Sequence, residues 1–318
     1  MIIKGGNIVK LSKWGTLRRG AATVVLVAAL FTSASAGASG IPAKRHGPTV
    51  AKVTPGSDYL ALGDSVSFGY RESTTAPAPD YSSAANFVGY PEYIAAALGL
   101  HLANAACPGE TSSSLLNANA LSNGCENHSS ATATILPGGY RTLYPLHVSY
   151  SGSQMAFALQ YLRAHPRTSL VTLMIGANDG FICQQTTTDQ CTSELNSVLT
   201  TVTANVHAIL HAIRVTAHFE GQIVLVNYYS MNYANALASA SSAFLNNAMD
   251  AGGTGFNVEI ADGYNAFQQA AQYSAGDSCA AGLLTRLFTN AAFTGCGVHP
   301  SVGGQAILAQ TVESVVKK

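Results

Sequence analysis

A serine stands at the end of a short apolar segment of the sequence. The stretch YLALGDSVSFGY contains four apolar residues, Tyr59 to Leu62, followed by Gly63, Asp64 and Ser65. Gly and Asp are common in turns, and Ser is common at the start of a helix. A strand that ends in a sharp turn also exposes a Ser hydroxyl at the edge of a sheet, where it can act as a nucleophile. The tripeptide alone allows both interpretations.

Three further segments carry residues that suit the same chemistry. NAACPGETSS places Gly109 in a loop, the apolar segment of LVTLMIGANDGF exits through Gly176, Asn178 and Asp179, and GCGVHPSVGGQ places His299 before Pro300. In an open α/β sheet, ligands bind at the carboxyl ends of the strands, so residues at strand exits are candidates. Taken singly, each has an ordinary alternative, namely a turn glycine, a strand-exit turn or a solvated histidine beside a helix.

Together these residue types suit acyl transfer. A Ser hydroxyl needs a base to take its proton, and the pKa of His lies near neutrality. The negative charge that develops on the carbonyl oxygen needs preorganised donors. The backbone N–H groups of Ser65 and Gly109 and the side-chain amide of Asn178 would supply three. A glycine at position 109 would let the backbone approach the substrate without a Cβ. One site, with His299 as the base, accounts for all four residues.

The elements that would position these residues alternate along the chain. The predicted strands are Tyr59–Leu62, Leu170–Ile175, Ile223–Val226 and Phe256–Ile260. The predicted helices are about Pro91–Leu98, Ser153–Ala164, Ser193–Ala217, Ala234–Met249 and Ser301–Val316. This alternation predicts one three-layer α/β/α domain with a mainly parallel sheet. In the turns after two of these strands, we expect Asp64 and Asp179 to accept hydrogen bonds from nearby backbone N–H groups.

The N-terminal 36 residues have the pattern of a signal peptide. Ala21 to Phe31 form an apolar run of 11 residues, shorter than the roughly 20 needed to span a bilayer. Ala34 and Ala36 supply an A-x-A cleavage site. A retained membrane anchor is the alternative. The basic residues that precede the apolar run are Lys4, Lys10, Lys13, Arg18 and Arg19.

Cleavage near Ala36 would leave a flexible leader over 37–56, which contains three prolines, and a domain over 57–318. The whole chain has no net charge, but the remainder would hold 11 basic and 16 acidic residues, a formal charge of −5. This balance gives no support for binding to nucleic acid or to an anionic membrane.

All six cysteines lie in the part predicted to be exported. An even number in an oxidising compartment favours disulfides. The sequence has no C-x-x-C motif that would favour a metal site. The pairing stays open at this point, because six cysteines allow many connectivities. Four of them lie in two polar segments, Asn104–Tyr150 and Ile182–Thr192, of the kind that commonly carries binding function.

The order and local context of the Ser, Gly, Asn and His residues resemble the SGNH hydrolases, the family that includes the GDSL-type esterases and lipases. The resemblance implies a flavodoxin-like fold, Ser65 as nucleophile, His299 as base and an oxyanion hole made by Ser65, Gly109 and Asn178. It implies no metal and no cofactor. It also implies sequential disulfides: Cys107–Cys125, Cys183–Cys191 and Cys279–Cys296.

The sequence departs from the family pattern at the residue three before His299. The family usually has an acid there, in D-x-x-H, whereas this chain has Cys296. Some relatives orient the histidine with a main-chain carbonyl, so the resemblance implies that the Cys296 carbonyl does so here, in a Ser–His dyad. The rival expectation is an acid from elsewhere in the chain, either Asp262 or Asp277.

The sequence therefore indicates a secreted, monomeric esterase or lipase that acts on a small-molecule or lipid ester, with no nucleic-acid partner and no stable membrane anchor. Two alternatives remain. An acyltransferase or a carbohydrate-ester deacetylase could use the same acyl-enzyme, because either an alcohol or water can resolve it. A noncatalytic secreted binding protein is the other alternative, and the missing acid is the feature that supports it.

We expect the exported protein to begin at or near Gly37. The only tryptophan, Trp14, lies in the predicted signal peptide, so the exported protein should show fluorescence of the tyrosine type alone. N-terminal sequencing of secreted material checks this. An intact apolar segment in that material would contradict the prediction.

Overall fold

A computed structural model describes residues 51–129 and 135–318. The strands are β1 (Asp58–Gly63), β2 (His101–Asn104), β3 (Asn127–Ser129), β4 (Ile135–Pro137), β5 (Thr168–Met174), β6 (Gln222–Val226), β7 (Glu259–Ala261), β8 (Leu284–Thr289) and β9 (Ala292–Pro300). The helices are α1 (Ser65–Phe68), α2 (Tyr90–Leu98), α3 (Ser112–Leu116), α4 (Tyr140–Leu143), α5 (Gln154–Ala164), α6 (Ala177–Thr186), α7 (Leu195–His211), α8 (Ala236–Gly252), α9 (Gly263–Ala270) and α10 (Val302–Val315).

Five parallel strands form the central sheet, in the order β2-β1-β5-β6-β7. Every residue of β1, β5 and β6 is buried, as expected for parallel strands covered on both faces. Helix α10 packs against α2 and α9, whereas α7 packs against α3, α6 and α8. The predicted three-layer α/β/α fold is confirmed. The chain leaves β1 on one side for β2 and returns on the other side at β5, which makes the β1/β5 exit the topological switch point where ligands bind.

Several elements differ from the prediction. Strand β7 is shorter and begins later than Phe256–Ile260, and β2 and the hairpin β8–β9 were not predicted. Strand β2 is a four-residue edge strand whose first residue is exposed, so it lacks the long apolar run of a central strand. The hairpin turns through Asn290 and Ala291, both with positive φ. An alanine seldom takes such a turn, so the usual Asn-Gly signal is missing.

Residues that precede position 57 also pack against the domain. Val53 is buried in the core, and its N–H donates to the carbonyl of Lys317 at 2.9 Å. The Ala51 carbonyl accepts from Gln222 at 3.0 Å. The end of the expected leader is therefore packed onto the domain. The predicted signal peptide and residues 37–50 lie outside the described residues.

Three disulfides join Cys107 to Cys125, Cys183 to Cys191 and Cys279 to Cys296. The pairing implied by the resemblance is thus confirmed. The third disulfide ties β9 to the loop that precedes β8.

One helical segment of the described chain, Leu195–Thr216, is long and apolar enough to cross a membrane by length and composition. It consists of α7 and the turn after it. Val202, Val206 and Ile209 of this helix are fully buried in the core, and the helix packs along α8. These residues form the core-facing side of an amphipathic helix.

Candidate active site

Ser65 is the first residue of α1, immediately beyond the end of β1. The turn requires Gly63, which has φ +144°, and a Cβ there would overlap the Met174 carbonyl. Asp64 caps the helix by accepting from the Val66 N–H at 2.9 Å. The tight turn and the capped helix together hold the Ser65 hydroxyl at the carboxyl edge of the sheet.

His299 lies near the end of β9 and contacts two side chains through its two ring nitrogens. Its Nε2 lies 2.9 Å from Ser65 Oγ, and its Nδ1 lies 2.7 Å from Glu72 Oε1. The hydrogen bonds form the chain Ser65–His299–Glu72. The sequence prediction brought Ser65 and His299 together correctly, but it did not include Glu72.

The expected role of the Cys296 carbonyl is therefore not supported, because Glu72 occupies Nδ1 of His299. The hydrogen bonds among the described residues include none between the Cys296 carbonyl and His299. Asp262 and Asp277 are also engaged elsewhere. Asp262 accepts from the Asn265 N–H at 2.9 Å, and Asp277 accepts from the Cys279 N–H at 2.8 Å. Both are capping residues of local turns.

Glu72 is held by groups on the hairpin that carries His299. The Thr285 hydroxyl donates to Glu72 Oε2 at 2.6 Å. Gly297 leaves room for the carboxylate, since a Cβ at this position would overlap both of its oxygens. Burial pushes the pKa of Glu72 upward, but the hydrogen bond and charge of His299 and the bond from Thr285 outweigh burial, and the pKa lies below its ordinary value. The group is thus a carboxylate at neutral pH.

Asn178 lies in the first turn of α6, at the exit of β5, and its side-chain amide is fixed at both ends. Its Oδ1 accepts from Asn123 Nδ2 at 2.9 Å, and its Nδ2 donates to the Glu110 carbonyl at 3.0 Å. An amide nitrogen has two hydrogens, so Asn178 keeps a second one for another acceptor. Asn123 was not identified from the sequence, because it lies in a polar loop without a pattern.

Gly109 has φ +86° and lies against the segment that contains Cys125. A Cβ at position 109 would overlap the Asn123 backbone. The glycine is thus required by loop packing and backbone conformation, which differs from the expected approach to a substrate. In residues 51–129 and 135–318, the N–H groups of Ser65 and Gly109 have no hydrogen-bond acceptor, so both can donate to a ligand.

Two buried aspartates stand at the strand exits: Asp64 accepts from the backbone of its own turn, as expected, whereas Asp179 accepts from the distant Ser112 at the start of α3. Asp64 Oδ2 accepts from the Tyr228 hydroxyl at 2.5 Å. Burial raises the pKa of Asp64 to about 6, although the bonds from Tyr228 and Val66 oppose the rise. Asp179 accepts from both the N–H and the hydroxyl of Ser112, at 2.8 and 2.6 Å. Burial raises the pKa of Asp179 as well.

A cluster of tyrosines, Tyr70, Tyr81, Tyr140 and Tyr144, extends from His299 to the surface and is called the tyrosine wall below. The Tyr70 ring packs against the His299 ring at 4.9 Å between centroids, and Tyr81 packs against both Tyr70 and Tyr144. Tyr144 is 39% exposed. The tyrosine wall therefore forms a continuous aromatic surface from His299 to the solvent.

A hydrogen-bonded serine, histidine and carboxylate beside paired N–H donors, on a three-layer parallel sheet, is the arrangement of a serine hydrolase. Residues 59–312 match the family model of the GDSL-like lipase/acylhydrolases, and the chain belongs to this family. It is a carboxylic ester hydrolase by that membership. A comparison with curated proteins gave no match.

Solved structures with the same fold include two esterases. Phospholipase A1 from Streptomyces albidoflavus NA297 is 18% identical, with a TM-score of 0.51 over 82% of this chain and 100% of that chain. Axe2, an acetylxylan esterase from Geobacillus stearothermophilus, is 16% identical, with a TM-score of 0.50 over 83% of this chain and 95% of that chain. At these identities the similarity shows the fold alone.

Replacing Gly297 with Ala should move the Glu72 carboxylate away from His299, because the new Cβ would overlap it. We expect kcat for a p-nitrophenyl ester to fall about 10- to 100-fold, the effect of a small misplacement at a reacting centre. Gly303→Ala is the control, since a Cβ there meets only Ser301 Oγ at 3.6 Å. Wild-type kcat in Gly297→Ala would contradict the role given to the Glu72 contact.

Replacing Asp64 with Asn should stabilise the protein more at pH 8 than at pH 4. The folded-state pKa of about 6 lies above the ordinary 3.8, so the unfolded chain loses this proton first as pH rises, and ionisation lowers the stability of the wild type between these two values. Asn does not ionise. Urea unfolding at both pH values measures the difference. Glu220→Gln, at an exposed residue, is the control, and a gain from Asp64→Asn that does not grow with pH would rule out the assigned shift.

Proposed function

We propose that this chain is a secreted serine esterase or lipase that hydrolyses carboxylic esters through an acyl-enzyme on Ser65. The observation that carries the proposal is the position of His299, which is hydrogen-bonded at 2.9 Å to Ser65 Oγ and at 2.7 Å to Glu72 Oε1. The predicted signal peptide and the three disulfides support secretion, because such bonds persist in oxidising compartments.

The first half of the reaction forms the acyl-enzyme. His299 Nε2 takes the proton of Ser65 Oγ as this oxygen bonds to the ester carbonyl carbon. The carbonyl oxygen becomes an oxyanion, which accepts from the N–H groups of Ser65 and Gly109 and from the second hydrogen of Asn178 Nδ2. The C–O bond to the alcohol then breaks, and His299 returns its proton to the departing oxygen.

The second half releases the acid. His299 takes a proton from water as the water oxygen bonds to the acyl carbon, and the same donors stabilise the second oxyanion. The bond to Ser65 Oγ breaks and the serine regains its proton. The side chains and backbone N–H groups of the chain supply each proton transfer and charge contact, so this mechanism requires no metal or cofactor.

Glu72 orients the base. Its carboxylate accepts from the Nδ1–H of His299, which selects the tautomer with a free Nε2 and stabilises the imidazolium that forms during each half-reaction. A charged acceptor makes a hydrogen bond about twice as strong as a neutral carbonyl does. We therefore propose a triad in place of the expected dyad. The case for a noncatalytic binding protein depended on a missing acid, and Glu72 removes that basis.

The tyrosine wall supports a substrate with an apolar alcohol portion. His299 protonates the departing alcohol oxygen, so this part of the substrate lies close to His299 and thus to Tyr70, whose ring packs against it. Aromatic rings that lead to solvent provide contact area for an apolar group.

The acyl acceptor distinguishes the two enzyme hypotheses. The proposed hydrolase uses water as the acyl acceptor, whereas the alternative acyltransferase uses an alcohol.

Replacing Ser65 with Ala should lower kcat about 10⁴-fold or more, because removal of a nucleophile eliminates the covalent route. Glu72→Ala should lower kcat roughly 10²- to 10⁴-fold through loss of the His299 tautomer. The measurements are kcat and KM for a series of p-nitrophenyl esters, with thermal unfolding as the test of folding. A serine-reactive phosphonate should label the wild type at Ser65.

Asp262→Asn and Asp277→Asn are the matched controls for Glu72. Each removes one carboxylate near a turn, and each should keep most of kcat. A protein that neither hydrolyses any ester of the series nor takes up the phosphonate would overturn the proposed function. A loss of kcat in Asp262→Asn or Asp277→Asn as large as that in Glu72→Ala would reassign the acid of the triad.

A further inference from the structure

The last residue of β1 has an unusual partner. Strand β2 ends at Asn104, which lies opposite Ala61, so β1 continues to Gly63 beyond its neighbour. The Gly63 carbonyl still accepts from the Cys107 N–H at 3.2 Å, and further partners come from Gln154, the first residue of α5. Its Oε1 accepts from the Gly63 N–H at 2.7 Å, and its Nε2 donates to the Gly63 carbonyl at 3.0 Å. A side-chain amide thus pairs with both backbone groups of Gly63, as a peptide unit would.

The same amide also reaches the loop that contains Gly109. Gln154 Nε2 donates to Glu110 Oε2 at 3.0 Å, and the Glu110 carboxyl also accepts from the Ser114 hydroxyl. Gln154 and Glu110 are both fully buried. Burial and then the charge of Glu126 raise the pKa of Glu110 well above its ordinary value, which favours a neutral carboxyl group at this position.

Glu110 connects this network to the third donor, because its main-chain carbonyl accepts from Asn178 Nδ2 at 3.0 Å. The connected groups are therefore Gly63, Gln154, Glu110 and Asn178. Gly63 is two residues from Ser65, Glu110 follows Gly109, and Asn178 is itself a candidate donor. One continuous set of hydrogen bonds thus links the chain segments of all three candidate oxyanion donors.

We propose that Gln154 is a positioning residue that sets the spacing of the three oxyanion donors through Gly63 and Glu110. This inference rests on the proposed function. Donors in a reactive site act fully only within about 0.5 Å of the productive geometry. A fully satisfied buried network is rigid enough to hold them there. Gln154 acts on the transition state through the backbone, without touching the substrate.

The chain offers a closely matched control in Gln222. It is buried at the start of β6, and it also pairs with both backbone groups of one residue, Lys317, at 2.7 Å for each bond. Gln222 is the first residue of β6, so it lies at the amino ends of the parallel strands. Ser65 and Asn178 follow the carboxyl ends of their strands, on the other side of the sheet. The same substitution at the two positions separates an effect on catalysis from a loss of buried pairing.

The experiment compares Gln154→Glu with Gln222→Glu. A carboxylate at position 154 can donate neither to the Gly63 carbonyl nor to Glu110 Oε2, so both hydrogen bonds of the amide nitrogen are lost. We expect Gln154→Glu to lower kcat about 10- to 100-fold, the cost of a small displacement of reacting groups, with KM changed less than about 3-fold. Gln222→Glu should lower the unfolding temperature and keep kcat.

A double variant tests the route of the effect. Asn178→Ala alone should lower kcat about 10²- to 10³-fold, as loss of one oxyanion donor does. If Gln154 acts by positioning the donors, Gln154→Glu should lower kcat less in the Asn178→Ala background than in the wild type, because one of the three donors that it positions is already gone. Equal fold-losses in the two backgrounds would overturn the proposal.

Gln154→Met supplies a second variant of similar size and without charge in case Gln154→Glu does not fold. It removes every hydrogen bond of the amide, so wild-type kcat in Gln154→Met would also overturn the inference. Hydrolysis by the wild type that is lost in Ser65→Ala shows that the proposed function stands, whatever the result at position 154. A wild type without this activity overturns both proposals together.

Discussion

A backbone group that lies in a dry interior must find a partner, and this constraint shapes the carboxyl edge of the sheet. Where β2 has ended, Gln154 accepts from the Gly63 N–H and donates to the Gly63 carbonyl, which also accepts from the Cys107 N–H. Beyond β6, Asn246 pairs with both backbone groups of Tyr228, with both hydrogen bonds at 2.8 Å. Each unpaired buried group would cost about 1 to 3 kcal/mol. These amides therefore stabilise the fold itself. They also hold in place the carboxyl ends of the strands, where the reactive groups lie.

Backbone hydrogen bonds also bring the carboxylate of Glu72 to His299. The loop after α1 carries Glu72, and it lies along β8, where the Phe288 N–H donates to the Thr74 carbonyl at 2.8 Å. The adjacent strand, β9, carries His299. The hairpin therefore aligns the acid with the base, and the disulfide of Cys296 fastens β9 to the preceding loop. Cys296 supports the geometry as a covalent tie, whereas the carboxylate comes from a different segment.

The sequence predicted the parallel sheet and two of the candidate site residues, Ser65 and Asn178, for a physical reason. Apolar strands interrupted by Gly, Asp or Asn mark their own exits, so Ser65 and Asn178 stand out. Glu72 has no such mark, because its contact with His299 spans 227 residues and the loop around it has no periodicity. The hairpin was missed for a related reason, since its turn lacks the usual glycine. Long-range contacts between loops carry no local pattern.

The carboxyl groups around the site divide into two kinds by environment, and the division suits the charge that ester hydrolysis develops. Asp64, Glu110 and Asp179 support the segments of the oxyanion donors, and burial raises the pKa of each. A higher pKa lowers the negative charge behind the donors that are proposed to stabilise an oxyanion. Glu72 has a lowered pKa and contacts the ring that becomes positive. The same chemical group is thus kept ionised where cationic charge forms and shifted toward the neutral acid where anionic charge forms.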